Sequence, residues 1–188
     1  TKETFETEIS EIGFIDNVLP VINENLNEYR KLKNCVLSSM GDFYGEMENC
    51  IAGYTCNIAN SYAIAYALTK GCSGVIFSSE ISNAFIESTL QAFEERYGFT
   101  PVTFRLVYGK RVLMYIKDRF VKEDMDEIQD MHHDVYHIER KDGITFIDEP
   151  KPFISDNPYT YGSFVILNDE GNKKEIVEEA YEEISERI

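Results

Sequence analysis

Residues 74–108, GVIFSSEISNAFIESTLQAFEERYGFTPVTFRLVY, decide the fold of this chain. They begin with an unbroken apolar run at 74–78, which is typical of a strand that is buried on both faces. Apolar residues at helical spacing over 81–97 predict a helix, and Gly98 is the stop signal after it. A second apolar run at 103–108 predicts another strand. Strand, helix and strand in this order indicate a parallel βαβ unit.

The same alternation continues toward the N-terminus. An apolar run at 17–21 is followed by helical spacing at about 23–32, and strands are predicted at 35–39 and 51–57. An alanine-rich stretch at 61–70 predicts another helix, which Gly71 ends. We therefore predict an α/β fold of parallel β/α units, with a core at about 17–116 of a single domain that spans 1–188.

The pattern changes after Gly109. Residues 112–116 read as extended, and the alternating runs at 134–139 and 144–147 flank Asp142-Gly143, a strong hairpin signal. A last strand is predicted at 162–167 and an amphipathic helix at 173–188. We interpret 117–188 as a C-terminal hairpin and helix elaboration on the α/β core.

Charge and hydropathy exclude several classes of function. The net charge is −16, from 34 acidic and 18 basic residues, so direct nucleic-acid binding and attachment to anionic membranes are not expected. No apolar run reaches the roughly 20 residues that a membrane span needs. The polar, acidic start is no secretory signal, so we expect a cytoplasmic protein. Because an initiator Met is missing, we interpret the chain as a piece of a longer protein.

Cysteines and histidines give no sign of a metal site. The four cysteines contain no Cys-x-x-Cys pair, and we expect reduced thiols packed in the interior: Cys35, Cys50, Cys56 and Cys72. His133 and His137 have the spacing of a helical metal pair, but they lie in a predicted strand with no Glu between them. His132 is the third histidine. No metal role is predicted for any of the three.

The carboxyl ends of parallel strands are where such folds bind ligands. Glu80 directly follows a strong strand and is our candidate general acid or base, although it could instead favour the N-terminus of its helix. The remaining strand-end candidates, predicted to bind substrate, are Asn57, Asn60, Ser78, Gly109 and Lys110. The alternative for Asn60, Ser79 and Ser82 is a role as helix N-caps or turn residues.

Four motifs in order resemble the collagenase-like U-32 peptidase family. Residues 54–61, YTCNIANS, resemble its Asn-x-x-Asn-Ser strand end, and 74–81, GVIFSSEI, resemble its Ser-x-Glu-Leu strand end. Residues 107–114, VYGKRVLM, resemble its Tyr-Gly-Arg-x-x-Leu-Met segment. Residues 139–143, ERKDG, resemble the turn that follows. The resemblance implies the later half of a TIM-like barrel and a peptidase that acts on a peptide or small-molecule substrate, with the rest of the parent chain as partner.

The resemblance leaves two other functions open. Some family members help to hydroxylate RNA bases or quinone precursors through an iron–sulfur cluster, whose cysteines follow the Leu-Met segment. This chain has no cysteine after Cys72, so we expect no cofactor in this segment. It could then be the scaffold half of such a protein, or a non-catalytic homologue that binds a ligand or partner.

Overall fold

The chain alternates short strands with two helices and then continues almost entirely as strands. The structure, a computed structural model, describes residues 31–44, 46–117, 125–141 and 143–166, together with the helical residues Glu175, Glu178 and Glu182. Its first elements are β1 (Lys31–Lys33), β2 (Val36–Leu37), β3 (Glu46–Glu48), β4 (Cys50–Ala52), α1 (Ser61–Thr69), β5 (Cys72–Ile76), α2 (Asn83–Tyr97) and β6 (Thr103–Gly109). The later elements are β7 (Val112–Ile116), β8 (Glu127–Gln129), β9 (Val135–Lys141), β10 (Ile144–Asp148), β11 (Phe153–Ile154) and β12 (Gly162–Val165).

A six-stranded, mostly parallel sheet forms the centre of the fold. Strands β2, β4, β5 and β6 lie side by side in chain order, and each neighbouring pair is parallel. Strand β12 pairs in parallel with β6, and β11 pairs antiparallel with Tyr108 and Gly109 at the end of β6. The predicted mixed α/β fold with a mostly parallel sheet is therefore confirmed.

Local capping signals set the ends of both helices. The Asn60 side chain accepts a hydrogen bond from the Ala63 N–H at 2.9 Å and so caps α1. Ser82 caps α2 in the same way through the Phe85 N–H, and Gly98 ends α2 in the left-handed conformation at φ 76°. These are the N-cap and C-cap chemistries that such residues favour. Asn60 and Ser82 are therefore helix N-caps, which is the alternative role that the sequence offers for them.

Both faces of the parallel sheet are covered by apolar side chains. The helix-side core is built from residues of strands, connecting turns and helices, including Leu37, Ile58, Ile64, Val75, Phe77, Ile86 and Phe93. On the opposite face Val36, Ile51, Ile76 and Leu106 pack against Tyr54, Phe104, Phe153, Phe164 and Ile166. Because alternate residues of a strand point to opposite faces, burial on both faces explains the unbroken apolar runs of the sequence.

Three cysteines form a row across neighbouring strands. Cys50 of β4 is in register with Cys72 of β5, and Cys35, just before β2, lies beside Cys50 with the two sulfurs 3.4 Å apart. Cys56 follows β4, and all four thiols are free and buried, as predicted. Burial raises the pKa of Cys35, Cys56 and Cys72 to about 12, so these thiols stay protonated at neutral pH.

A separate antiparallel sheet follows β6. Its strand order is β7-β10-β9-β8. The predicted hairpin is confirmed as β9 and β10, whose pairing places Ile144 opposite Lys141. The sheet is larger than the hairpin that the sequence predicts, because β7 and β8 add one strand on each side.

Two predicted elements need correction. The predicted strand at 51–57 ends at Ala52, because a 3-10 turn follows at Tyr54–Cys56, in which the Cys56 N–H donates to the Gly53 carbonyl at 3.0 Å. Residues 31 and 32, the predicted end of the helix at about 23–32, belong instead to strand β1, which pairs with β3. The earlier part of this helix, the apolar run at 17–21 and the apolar side of the C-terminal helix lie outside the described residues.

Candidate functional site

The carboxyl ends of β4, β5 and β6 lie at one edge of the parallel sheet. Residues 149–156, which we call the strap, lie beside the end of β6 and include β11. Two arginines, Arg105 within β6 and Arg111 two residues after it, connect the strap to the strand ends. The edge, its two arginines and the strap form the candidate site.

Arg111 is fully neutralised by the strap. Its Nε donates to Glu149 at 2.9 Å, its Nη2 pairs with the other carboxylate oxygen, and its backbone N–H also donates to Glu149. Its Nη1 donates to the Ser79 hydroxyl at 2.7 Å, and the guanidinium lies 4.2 Å from the centre of the Phe153 ring. The hydrogen bonds to Glu149 raise the pKa of Arg111.

Arg105 is buried more deeply and has neutral partners. Its exposed fraction is 4%. Nη1 donates to the Ser78 carbonyl at 3.2 Å, while Nε and Nη2 both reach the Ser155 hydroxyl, at 3.4 and 3.3 Å. Within the part of the chain that the structure describes, no carboxylate lies at ion-pair distance from it. Burial lowers the pKa of Arg105, and Asp156 partly offsets this effect.

Ser78 and Glu80 lie directly beside the arginines. Ser78 is buried; its N–H donates to the Ile58 carbonyl at 2.9 Å, and its hydroxyl accepts from the Glu80 N–H at 3.4 Å. The Glu80 side chain is exposed, and its charge contributes to the raised pKa of Arg111. The structure therefore places the predicted acid or base at the rim of the edge, with its carboxylate toward solvent.

The other predicted site residues surround the edge in different ways. Asn57 is exposed in the left-handed conformation at φ 56°, one residue before Ile58, which bridges to Phe77 at the end of β5. Asn60 is exposed and caps α1. Gly109 is buried, and a Cβ built there would lie 2.5 Å from the Ile166 Cβ, so its environment is packed protein. Lys110 is half-buried, and its charge only partly opposes the rise in the pKa of Asp148 that burial causes.

Tyrosines line the side of the site toward the antiparallel sheet. Burial raises the pKa of Tyr54 to about 12, with contributions from Tyr115 and from the carboxylates of Glu149 and Asp148, against the opposing effect of Arg111. Burial also raises the pKa of Tyr115. Both phenols therefore keep their protons at neutral pH and can act there as hydrogen-bond donors.

The Asp148 carboxylate weakens the antiparallel sheet at neutral pH. Burial and the neighbouring charge of Glu139 raise its pKa above 3.8, so its cost to stability is absent in acid and complete above the raised pKa. We expect Asp148→Asn to stabilise the protein by about 0.5 kcal/mol at pH 7.5, a value typical of partly exposed cross-strand pairs. The gain should shrink as the pH falls through the raised pKa.

Urea unfolding at several pH values above the isoelectric point of about 4.5 measures this gain. Asp126→Asn is the matched control, because the Asp126 side chain is 91% exposed and should give no gain. An Asp148→Asn gain that grows toward acid would contradict the assigned direction.

The three histidines lie outside the candidate site. All three are exposed in or near the β8–β9 hairpin, whose connecting loop is organised by the Asp130 carboxylate. His137 faces Glu127 across the two strands at 3.3 Å. Among the described residues there is no group of three His, Cys, Asp or Glu side chains that could hold a metal ion.

Sequence reasoning missed the three charged residues that organise the edge. Arg105 carries a usable signal, because an arginine inside the apolar run 103–108 must be buried with β6. Arg111 lies within a quoted motif but was given no role. Glu149 lies in a proline-rich loop pattern with no local signal, and only the tertiary fold brings it to Arg111.

Comparison with known proteins assigns neither a family nor a function to this chain. No family model, no curated protein sequence and no solved structure matches this chain. In the described part of the chain, no helix is long and apolar enough to cross a membrane. The chemistry of the edge is therefore the basis for a functional proposal.

Proposed function

We propose that this chain is part of a peptidase of the collagenase-like U-32 type and that its strand edge binds the peptide substrate. The observation that carries the proposal is the gathering of Ser78, Ser79 and Arg111 beside the Glu80 carboxylate at the carboxyl edge of parallel strands. Ligand sites of parallel α/β folds lie at this edge. The order of the four sequence motifs also supports it.

In this proposal Glu80 acts as the general acid or base. Its side chain is exposed at the rim, where a bound peptide group could reach it, and it lies close enough to Arg111 to interact electrostatically. A positioned carboxylate of this kind typically accelerates proton transfer by about 10²- to 10⁴-fold. Asn57, exposed beside the end of β5, would orient the peptide through its amide group.

A second candidate function is ligand binding without catalysis. It is favoured by the state of the serine hydroxyls at the edge, since Ser79 and Ser155 accept hydrogen bonds from arginines and Ser78 accepts one from the Glu80 N–H. A serine nucleophile instead needs a neighbouring base to take its proton. The cysteines cannot replace it, because they are buried in the core and Cys35, Cys56 and Cys72 have raised pKa values.

Peptide hydrolysis by the intact protein tests the first candidate. We expect Glu80→Gln to reduce kcat by at least about 100-fold and Asn57→Ala to raise KM, because the first removes proton transfer and the second removes an orienting contact. Glu94→Gln, an exposed carboxylate on α2, is the matched control and should retain full activity. Unchanged hydrolysis in both site variants would reject these roles, whereas absence of hydrolysis by the unmodified protein would leave binding without catalysis.

A further inference from the structure

Arg105 carries a charge that no described carboxylate neutralises through a direct ion pair, since the exposed Asp156 acts on it only from beyond ion-pair distance. Arg105 is 4% exposed in a chain of net charge −16, yet its hydrogen bonds go to one carbonyl and one hydroxyl. A buried cation without a directly paired carboxylate is costly, and proteins usually compensate it with a carboxylate or keep it for a ligand. Arg111, at the same edge, is paired with the Glu149 carboxylate, so the lack of a directly paired carboxylate distinguishes Arg105 from it.

The geometry of the hydrogen bonds between Arg105 and Ser155 indicates that a carboxylate would fit there. The Nε and Nη2 groups form the side of a guanidinium that binds the two oxygens of a carboxylate in parallel. In Arg105 both groups are directed at the single oxygen of Ser155, at 3.4 and 3.3 Å, which is long for such bonds. The Ser155 hydroxyl gives its own proton to the Asp156 carbonyl at 3.1 Å, so only its lone pairs face the arginine. One neutral oxygen therefore stands where two charged oxygens would fit.

The position of Ser155 allows a ligand to replace it. It follows β11, a strand of only two residues, and its backbone N–H donates to the Val107 carbonyl at 2.9 Å. Rotation of the side chain alone would withdraw the hydroxyl from Arg105 and leave this backbone bond intact. The exposed Asp156 carboxylate next to it would repel a dianion more strongly than a monoanion.

We propose that Arg105 is a carboxylate-binding residue, and that a carboxylate of the ligand takes the place of the Ser155 hydroxyl at its Nε and Nη2 groups. The inference rests on the proposed function, since a peptide that binds this edge would supply the carboxylate from its C-terminus or an acidic side chain. Arg105 would then select peptides by charge at a point separate from Glu80. Arg111, already paired with Glu149, would stay structural.

NMR titrations of the intact protein with small probes test this assignment. The probes are acetate, trialanine, trialanine amide and inorganic phosphate, at constant ionic strength. We expect acetate and trialanine to shift the signals of Arg105, Ser78 and Ser155, and the amide and phosphate to bind at least about tenfold more weakly. Stronger binding of phosphate than of acetate, or equal binding of the acid and the amide, would overturn the carboxylate assignment.

Two sets of variants locate the binding. Arg105→Gln should weaken acetate and trialanine binding at least about tenfold, whereas Arg96→Gln, which removes the same charge at the end of α2, should not. Unchanged binding in Arg105→Gln would overturn the proposal. Peptide hydrolysis that is unchanged in Glu80→Gln, together with normal acetate binding by the unmodified protein, would reject the proposed peptidase but not the carboxylate site.

Ser155→Asp keeps the proposal testable if Arg105→Gln does not fold. This variant supplies the missing carboxylate from the strap itself, so it should have a higher Tm than the isosteric Ser155→Asn and should no longer bind acetate. A Tm for Ser155→Asp no higher than for Ser155→Asn, or acetate binding as in the unmodified protein, would show that Arg105 does not receive a carboxylate there.

Discussion

Replacing Gly109 with alanine should destabilise the protein by about 3 kcal/mol. Gly109 has φ 133°, a conformation that L side chains rarely adopt, and a Cβ would lie 2.5 Å from the Ile166 Cβ. The neighbouring contact cannot open easily, because the Ile166 N–H donates to the Tyr108 carbonyl at 2.9 Å and holds the end of β12 against β6. Equilibrium unfolding in urea measures the loss.

Gly98→Ala is the matched control for this experiment. Gly98 also has a positive φ, 76°, but a Cβ there meets no described atom within 4 Å. It should therefore lose only the conformational part, about 1 kcal/mol. Equal losses in the two variants would contradict the close contact at Gly109, and a Gly109→Ala protein of normal stability that fails to bind substrate would restore the direct ligand role that its strand-end position predicts.

Replacing Glu149 with alanine should cost about 2–3 kcal/mol, because it leaves Arg111 without its counter-charge. The side chains of Arg111 and Glu149 are only 19% and 13% exposed, so solvent screens the remaining charge incompletely. We place the effect below the full range for buried pairs because of this residual exposure. Urea unfolding at neutral pH measures it, and the loss should change little with added salt.

A double-mutant cycle separates the ion pair from the loss of packing. Arg111→Gln with Glu149→Gln removes both charges, and we expect this double variant to be more stable than Glu149→Gln alone, since no unpaired charge remains. Lys151→Ala in the same strap is the control: its side chain is 83% exposed and its ion pair with Asp134 should contribute little. A double variant less stable than either single variant would show that the charges are not the cause.

The fold could be predicted where its signals are local. Ser82 and Gly98 mark the ends of α2, and the apolar runs around it belong to strands buried on both faces, so periodicity alone was sufficient for β5, α2 and β6. The early end of β4 could not be predicted, because the apolar pattern of residues 51–57 carries no signal for the 3-10 turn at Tyr54–Cys56.

The sequence predicts only part of the set of residues that lie at the edge. The strand-end rule selected Ser78 and Glu80, which do lie at the edge. It could not select Arg105, because this residue lies inside β6, nor Glu149, whose partner is remote in sequence. Residue-type patterns report local structure, whereas the charges of this edge are paired by the long-range packing of the strap.

Strand β6 has consequences for how the chain folds. In sequence, the whole antiparallel sheet lies between β6 and its partners β11 and β12. Part of the β6 backbone therefore has no strand partner until residues 153–165 have been synthesised. Hairpins form from near neighbours and can assemble first, whereas such distant pairings close slowly. In that interval the apolar edge of β6 is open to other chains, and a holding chaperone or a low protein concentration should improve the yield of refolding.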